Sequence, residues 1–243
     1  MKNRIIKDIR FYESDKENLQ GHYPSELGHL FIPSVDTKYI GQRIARKLNE
    51  YNFSFGEFDH IYINFSTVLK KDEIKISDNI IDKQIRYIDV GVTQHIFNEL
   101  DEIDKDSFTK EITFKTLLYL ANKEVAKIKI IEEIREELET NDTETVIGFK
   151  TKESKVFKID IGYQIRPNNS SSKIIINYFD KVNNIKLKGS KDILNYEDIY
   201  YLIDTISLKD NIINFTSKKS YIAELTKKKY NEPLFFEIKK LEK

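Results

Sequence analysis

The sequence contains no cysteine and no tryptophan, and it has only one methionine. Without cysteine the chain cannot form an internal disulfide. It also lacks the thiolates of a structural zinc site, an iron–sulfur cluster or a cysteine nucleophile. With 243 residues it is long enough to bury a hydrophobic core without disulfides or structural metal sites. Several classes of metalloprotein and thiol enzyme are therefore excluded.

Long apolar runs are missing as well. No stretch approaches the roughly 18 consecutive apolar residues of a membrane span. The opening segment, MKNRIIKDIRFYES, carries a charge every few residues where a secretory signal would be continuously apolar. The sequence therefore predicts a protein without a membrane partner, located in the cytoplasm.

Net charge is also absent, because 40 basic residues balance 40 acidic ones. Such a chain has no overall field to attract nucleic acid or anionic lipid. The balance hides two local excesses, an acidic one in residues 101–142 and a basic one in residues 217–243. Either segment matches an oppositely charged partner.

Motifs that bind phosphate or perform catalysis are also lacking. The eight glycines are spread singly, and neither GxGxxG nor GxxxxGK[ST] occurs. The HExxH zinc helix and the nucleophile elbow are missing too. We expect no cofactor and no enzymatic activity. Asp59, Asp89 and Asp160, in or beside predicted strands, keep open the alternative of a carboxylate- or metal-dependent hydrolase or nuclease.

Apolar and polar residues alternate in several segments of the N-terminal half. This pattern predicts strands at 5–12, 60–66 and 85–92, with a connection or short edge strand at 70–84. Apolar residues at steps of three and four predict a helix over 38–51, capped by Asp36 or Thr37.

A single long helix is predicted in the middle of the chain, over about 107–140. Apolar residues recur there at helical spacing, neither glycine nor proline interrupts them, and Asp106 or Ser107 precedes them as a cap. Beyond residue 142 the pattern predicts a strand at 156–165, hairpins turning at 183–184 and 210–211, and a last strand at 234–238. Residues 195–202 fit either helix or strand.

Together these elements predict an α+β protein. Its sheet is mixed or antiparallel, with one N-terminal helix, one long central helix and a C-terminal antiparallel β-meander. Strands that run apart from helices favour antiparallel pairing over a doubly wound parallel sheet. We expect an α/β half at 1–142, which includes the long helix, and a mostly β half at 143–243. One continuous domain is the alternative.

The stretch GHYPSELGHLF, residues 21–31, holds two of the four histidines with a glutamate between them. His22 and His29 are seven residues apart on a loop punctuated by proline and glycine, whereas zinc ligands usually pair at short fixed spacing. We interpret the stretch as a structured loop. The alternative is a metal site formed by His22, His29 and His60.

Nucleic-acid binding is a further alternative. The predicted first helix shows Lys38, Arg43, Arg46 and Lys47 on one face, and residues 227–230 form a second basic run that ends in tyrosine. Because the chain has no net charge and no recognisable nucleic-acid-binding motif, an accessory role of this kind is the second alternative.

The preferred hypothesis is protein binding. Tyrosine is enriched at interfaces because it offers rigid contact area and a hydroxyl that tolerates water. Alternation predicts exposed tyrosines that include Tyr12, Tyr62, Tyr200 and Tyr201, and the central helix carries an acidic stripe of Glu132, Glu133, Glu136 and Glu137. We expect the acidic stripe with Tyr200 and Tyr201 to contact the partner. The size and surface suit an immunity protein or antitoxin that covers a toxin domain's active site, and a homodimer remains open.

Overall fold

A computed structural model describes residues 3–21, 23–167, 169–230 and 234–242. The chain divides into two units, Met1–Asp142 and Thr143–Lys243. Helices and mixed or antiparallel sheets are both present, so the α+β class is confirmed. Within the described residues, no helix combines the length and the apolar character needed to cross a membrane.

In its described residues the first unit has five strands and four α-helices. The strands are β1 (Asp8–Ser14), β2 (Ser25–Glu26), β3 (His60–Ser66), β4 (Ile74–Ile76) and β5 (Ile85–Gly91). The helices are α1 (Thr37–Glu50), α2 (Gln94–Glu99), α3 (Glu102–Ala121) and α4 (Val125–Asn141). The strand predicted at 5–12 begins later than expected, since Ile5 forms only an isolated bridge to Ser54.

The sheet of the first unit has the order β2-β1-β3-β5-β4. Its three central strands are parallel, and β2 and β4 pair antiparallel at the edges. The general preference for antiparallel pairing was therefore wrong for the centre of this sheet, because α1 returns the chain from β1 to a parallel β3. The close packing of α1 on β1 requires Gly41, where a Cβ atom would lie 2.5 Å from the carbonyl oxygen of Ile9.

The hydrophobic core lies between this sheet and the helices. Alternate strand residues such as Ile9, Ile61 and Ile88 contribute one side, and Ile44 and Leu117 are among the helix residues that contribute the other. The intervening strand residues point to the opposite face. That second face carries polar and aromatic side chains, and it contains the candidate site.

The prediction of a single long central helix is wrong, because the structure has two helices in this region. α3 ends at Ala121 and α4 begins at Val125. Asn122 and Lys123 between them have left-handed backbone conformations, with φ of 44° and 66°. Neither residue is glycine or proline, so the break left no strong signal in the sequence. The predicted cap was also wrong, since α3 begins at Glu102 and the side chain of Asp101 accepts the backbone N–H of Asp104.

Two of the four cations on the basic face predicted for α1 are buried, whereas Arg46 is half-buried and Lys38 is exposed. Arg43 is completely buried, and its guanidinium donates to both carboxylate oxygens of Asp36. Lys47 is 7% exposed and forms ion pairs with Glu50 and Glu137. Arg43 and Lys47 connect α1 to its own N-terminus and to α4, so these two cations are not part of the solvent-exposed basic surface that the sequence suggested.

The described residues of the second unit form two antiparallel sheets. The four-stranded meander is β6 (Val146–Glu153), β7 (Phe157–Gln164), β8 (Ser172–Asp180) and β9 (Ile185–Ile193). Two short helices are α5 (Ile199–Leu202) and α6 (Tyr221–Lys227), and the three-stranded sheet is β10 (Thr205–Lys209), β11 (Ile212–Thr216) and β12 (Phe235–Glu237). The predicted C-terminal meander and both hairpins are confirmed.

Local signals explain the turns of the second unit. Asp210 and Asn211 both have positive φ, the conformation that a two-residue hairpin turn requires and that these residue types tolerate. The ambiguous segment 195–202 is helical, because the Asn195 side chain accepts the backbone N–H of Glu197 and caps the turn. The last strand is shorter than the predicted 234–238.

We predict that Lys123→Gly stabilises the protein. Glycine adopts the left-handed conformation without the penalty of a side chain, so the free energy of unfolding should rise by about 0.5–1 kcal/mol. Thermal denaturation should show a Tm higher by roughly 1–4 °C. The matched control Lys129→Gly lies inside α4 and should lower stability by about 1 kcal/mol. Equal losses in both variants would contradict the left-handed assignment.

Candidate functional site

The loop that contains GHYPSELGHLF is held by one buried carboxylate. Glu13, at the carboxyl end of β1, is 2% exposed. Its two oxygens accept the backbone N–H groups of Gly28, His29, Leu30 and Phe31 at 3.0–3.2 Å. A carboxylate surrounded by backbone donors is well solvated by the protein itself. This glutamate therefore serves to shape the loop.

Side chains from α2 fix the far end of the same loop. Asn98 donates to the carbonyl oxygen of Leu30 at 2.9 Å and accepts the backbone N–H of Ile32 at 2.8 Å. Gln94 donates to the same carbonyl. Phe31, between these contacts, is completely buried among the core aromatic rings. The stretch is thus an ordered structural loop in its described part.

The histidines proposed as an alternative metal site lie apart where they are described. The backbone of His29 is bonded to Glu13, whereas His60 lies opposite Asp8 at the other end of the parallel strands. Five residues of strand, roughly 17 Å, separate Glu13 from Asp8. His22 lies outside the described residues. In the part of the chain that the structure describes, no three His, Asp or Glu side chains cluster as ligands for a metal ion.

At the amino end of β3, Asp59 gathers three basic side chains. Its carboxylate is 1% exposed and lies 2.7 Å from Lys7 Nζ, 2.7 Å from His60 Nδ1 and 3.4 Å from Arg4. Burial alone would raise the pKa of Asp59, but the hydrogen bonds from Lys7 and His60 with their charges hold this pKa below its usual range. The cluster attaches the N-terminal segment to the sheet.

Asp89 occupies a different buried network at the carboxyl ends of the parallel strands. It accepts the side-chain amides of Asn64 at 2.7 Å and Asn18 at 3.1 Å. Asn18 in turn accepts the side-chain amide of Asn79 at 2.8 Å, and its carbonyl oxygen accepts the Ser77 hydroxyl at 3.0 Å. The network thereby joins the loop after β1 to the loop after β4 and holds both over the second face of the sheet.

Asp59 and Asp89, two of the three carboxylates considered for catalysis, are not brought together within the first unit. Asp59 precedes the first residue of β3, whereas Asp89 lies opposite Asn64, four residues further along that strand. Asp160 belongs to the second unit, where it accepts from Lys158 and Thr151. Asp59 and Asp89 are each occupied by their own donors, and they do not form the facing pair that acid–base hydrolysis requires.

Three tyrosines and an arginine form what we call the tyrosine face: Arg10, Tyr12, Tyr62 and Tyr87. The ring centroids of Tyr12 and Tyr62 are 4.9 Å apart, and those of Tyr62 and Tyr87 are 5.3 Å apart. The guanidinium of Arg10 lies 5.7 Å from the Tyr62 ring. Burial, and then the neighbouring Tyr62, raise the pKa of Tyr12 to about 12, so its hydroxyl stays protonated and can donate.

The loops beside the tyrosine face expose apolar side chains, which we call the apolar rim: Leu19, Tyr23, Ile80 and Ile81. Their exposed fractions are 53%, 62%, 53% and 47%. Leu19 and Ile80 follow the hydrogen-bonded residues Asn18 and Asn79 in the sequence, so the network holds their backbones near one another. Exposed apolar residues on tethered loops are typical of a surface that a partner covers.

The predicted acidic stripe is exposed only in part, and its charge is partly neutralised. Glu137 pairs with Lys47 at 3.0 Å, Glu133 lies 3.8 Å from Lys129, and Glu132 lies 3.9 Å from Arg135. Glu136 is exposed. Lys47 is nearly buried, so Glu137 has a structural role in joining α4 to α1.

Tyr200 and Tyr201 belong to the second unit and are half-buried. The Tyr200 hydroxyl lies 2.6 Å from that of Tyr163, and its ring packs edge-on against Phe149. Tyr201 lies beneath the ammonium of Lys218. Much of the Tyr200 surface is used inside its own unit.

Sequence analysis missed most of the residues that build this site. Alternation along β1 and β3 indicated Tyr12 and Tyr62, although Tyr62 is only 8% exposed. Glu13 and Asn64 interrupt the apolar pattern of their strands, which is the one local signal they left. Asn18 and Asn79 lie in loops where such residues are common, so their pairing left no signal.

We predict that Glu13→Gln destabilises the protein by about 2–3 kcal/mol, because an amide replaces one charged acceptor and points N–H groups at backbone N–H groups. Urea denaturation should show the loss, and limited proteolysis should cut within residues 21–31. Glu17→Gln, on the exposed part of the following loop, is the matched control and should change stability by less than about 0.5 kcal/mol. A proteolysis pattern identical to that of wild type would contradict the role of Glu13 in holding this loop.

We predict that Asp89→Asn raises the Tm at pH 7. Burial outweighs the two amide hydrogen bonds and raises the pKa of Asp89. A carboxyl group whose pKa is higher in the folded than in the unfolded state destabilises the fold when it is ionised. This destabilisation decreases as the pH falls towards the pKa of the unfolded state, about 3.9. The advantage of the variant should therefore shrink between pH 7 and roughly pH 4.

Thermal melts across this pH range provide the measurement for Asp89→Asn. The exposed Asp78→Asn, adjacent to the same network, is the control and should follow wild type at each pH. A lower Tm for Asp89→Asn at pH 7 would mean that the ionised carboxylate stabilises the network.

The tyrosine face and the apolar rim form the candidate functional site. They combine rigid aromatic area, a guanidinium and exposed aliphatic groups on loops held by buried hydrogen bonds. This composition is that of a binding surface. Comparison of the chain with family models, with curated proteins and with solved structures finds no match in any of the three.

Proposed function

We propose that this chain is a protein-binding protein of the immunity or antitoxin type. It docks on a partner protein through the tyrosine face and the apolar rim, and it covers the partner's active site. The observation that carries the proposal is the placement of exposed Leu19 and Ile80 on loops fixed by the Asn18–Asn79 hydrogen bond, directly after those residues. Holding exposed aliphatic groups in fixed positions lowers the entropy cost of binding.

The chemistry of the tyrosine face also supports a protein partner. Tyrosine and arginine are the residue types that most often dominate the energy of protein interfaces. Tyr62 and Tyr87 form a buried floor, and the more exposed Arg10 and Tyr12 lie over it. A rigid aromatic floor supports the exposed contacts without the entropy cost of long flexible side chains.

The occupied carboxylates favour binding over catalysis. Asp59, Asp89 and Asp160 all accept hydrogen bonds within their own clusters. A hydrolase would need two such groups converging on one space. We therefore infer that the chain inhibits its partner by covering the partner's active site, through an interface of about 800 Å² on each protein.

The acidic stripe takes a secondary role in this proposal. Glu133 and Glu136 are its exposed members, and they can attract a partner with a basic active-site cleft. Long-range attraction of this kind speeds association and contributes less to the strength of the complex. The contacts that hold the partner are assigned to the tyrosine face and the apolar rim.

The test begins with affinity purification from the source cells, followed by reconstitution with the purified candidate partner. We expect the double variant Arg10→Ala/Tyr12→Ala to weaken binding by about 30-fold or more, as for a hot spot worth 2 kcal/mol. It should also relieve inhibition of the partner's activity. Isothermal titration calorimetry and an assay of that activity provide the readouts.

The control is Glu133→Lys/Glu136→Lys, which avoids the structural Glu137. It should slow association at low salt and leave the dissociation rate unchanged. Equal affinity of the partner for wild type and Arg10→Ala/Tyr12→Ala would overturn the proposal. Loss of self-association in that double variant, measured by light scattering, would instead assign the face to a homodimer.

A further inference from the structure

The outer edge of β9 is only partly paired. Lys188 exchanges two backbone hydrogen bonds with Glu242, at 2.7 and 2.8 Å, and the N–H of Leu194 donates to the Tyr230 hydroxyl at 3.0 Å. Outward backbone groups alternate along an edge strand, so Ser190 and Asp192 present theirs between these two positions. Among the described residues, neither has a hydrogen-bond partner on this edge.

The C-terminal segment explains why the edge is left open there. Leu241 and Glu242 lie against Gly189 and Lys188, and a side-chain carbon of Leu241 lies 2.4 Å from the position that a Cβ on Gly189 would take. Residues Ile238–Lys240 form a short 3-10 turn, and the chain meets the edge of β9 only after this turn, at Lys188 and already past Ser190. The distance from Lys188 to Leu194 is about 20 Å at strand spacing, which accommodates an extended peptide of four or five residues.

A cleft of about 660 Å³ lies beside this open edge. Its lining includes Ser190, Lys188, Lys191, Lys173 and Phe235. That volume is within the range of pockets that enclose a small ligand. Both the backbone edge and the space for a segment to occupy it are therefore present in one place.

The cleft has an excess of unpaired positive charge. Within the described residues, no carboxylate lies within ion-pair distance of Lys173, Lys188 or Lys191. Three acidic residues also line the cleft. Glu144 pairs with Arg166 and Glu237 pairs with both Lys239 and Lys240, which leaves the carboxylate of Glu242 against three lysines. The ammonium of Lys191 also lies 5.6 Å from the centre of the Phe235 ring. An occupant with acidic side chains would match the remaining excess of positive charge.

Gln164 supplies an independent indication of a ligand. This residue lines the cleft and is 4% exposed. Its side-chain nitrogen donates to Glu144, but its oxygen Oε1 is buried without a hydrogen-bond partner in the described part of the chain. An unsatisfied buried acceptor costs about 1–3 kcal/mol. A ligand N–H group in the cleft would satisfy it.

The lysines on β9 also discourage pairing with a second copy of the same strand. Exposed edge strands commonly carry lysine for this purpose, because a basic edge repels an identical basic edge. The same charge selects an acidic strand in its place. Repulsion of the wrong partner and attraction of the right one act together to give specificity.

We propose that the cleft of the second unit binds a short, extended, acidic segment of a partner protein, which pairs as an added strand with β9 at Ser190 and Asp192. Backbone hydrogen bonds hold the segment in register, and Lys173, Lys188 and Lys191 select its acidic side chains. This site is separate from the tyrosine face and does not depend on the function proposed for it.

The test uses the full chain labelled with ¹⁵N and an acetylated, amidated pentapeptide of sequence EVEVE. We expect chemical-shift changes and slowed hydrogen exchange at the amides of Ser190 and Asp192, with a Kd below about 1 mM. The basic pentapeptide KVKVK should produce no such changes. Absence of EVEVE binding at about 5 mM, or shifts confined to other surfaces, would overturn the proposal.

Two variants distinguish the contribution of the Ser190 backbone N–H from that of the Ser190 side chain. Ser190→Pro removes the outward N–H and should weaken EVEVE binding at least about tenfold, whereas Ser190→Ala keeps this N–H and should bind as wild type. Proline is tolerated on edge strands, and circular dichroism checks the fold. Wild-type affinity in folded Ser190→Pro would show that the segment does not pair with this edge.

A second pair of variants tests the charge and remains informative if Ser190→Pro does not fold. Lys188→Glu/Lys191→Glu should abolish binding of EVEVE and permit binding of KVKVK. Lys219→Glu, on an exposed position outside the cleft, is the control and should change neither. Retained EVEVE affinity in the double variant would overturn the assignment of an acidic ligand.

Discussion

The buried carboxylate of Glu13 is the interaction on which the loop before α1 depends. It holds four consecutive backbone amides against the end of β1, and so it fixes the loop that leads from Tyr23 to α1. A loop cannot be buried unless its backbone groups find partners. By supplying them from one charged side chain, Glu13 allows Phe31 to enter the core and keeps the following helix in place.

Several buried charged side chains in this unit connect segments of the chain through hydrogen bonds and ion pairs. Arg43 with Asp36 connects α1 to its own start, Asp59 gathers the N-terminal segment, and Asp89 joins two loops through asparagine amides. A buried charge remains ionised only if other groups in the protein solvate it. Charged side chains used in this way hold separate segments of the unit in fixed positions.

The candidate site was predictable only where it lies on a regular strand. Alternation along β1 and β3 places Tyr12 and Tyr62 on one face, so their proximity follows once the strands are paired. The apolar rim did not follow, because it depends on a hydrogen bond between Asn18 and Asn79, 61 residues apart in the sequence. Likewise, nothing local distinguishes Glu133 from Glu137, although a nearly buried lysine on another helix pairs with only the second.

The sequence by itself determined the α+β class, the meander of the second unit and the turns at its hairpins, because these depend on periodicity and on residues that tolerate a particular backbone angle. The tertiary structure decided the parallel centre of the first sheet, the break after Ala121 and the role of each buried charge. Those features depend on contacts between distant segments. The free energy of such a contact is a property of the pair, so neither residue alone reveals it.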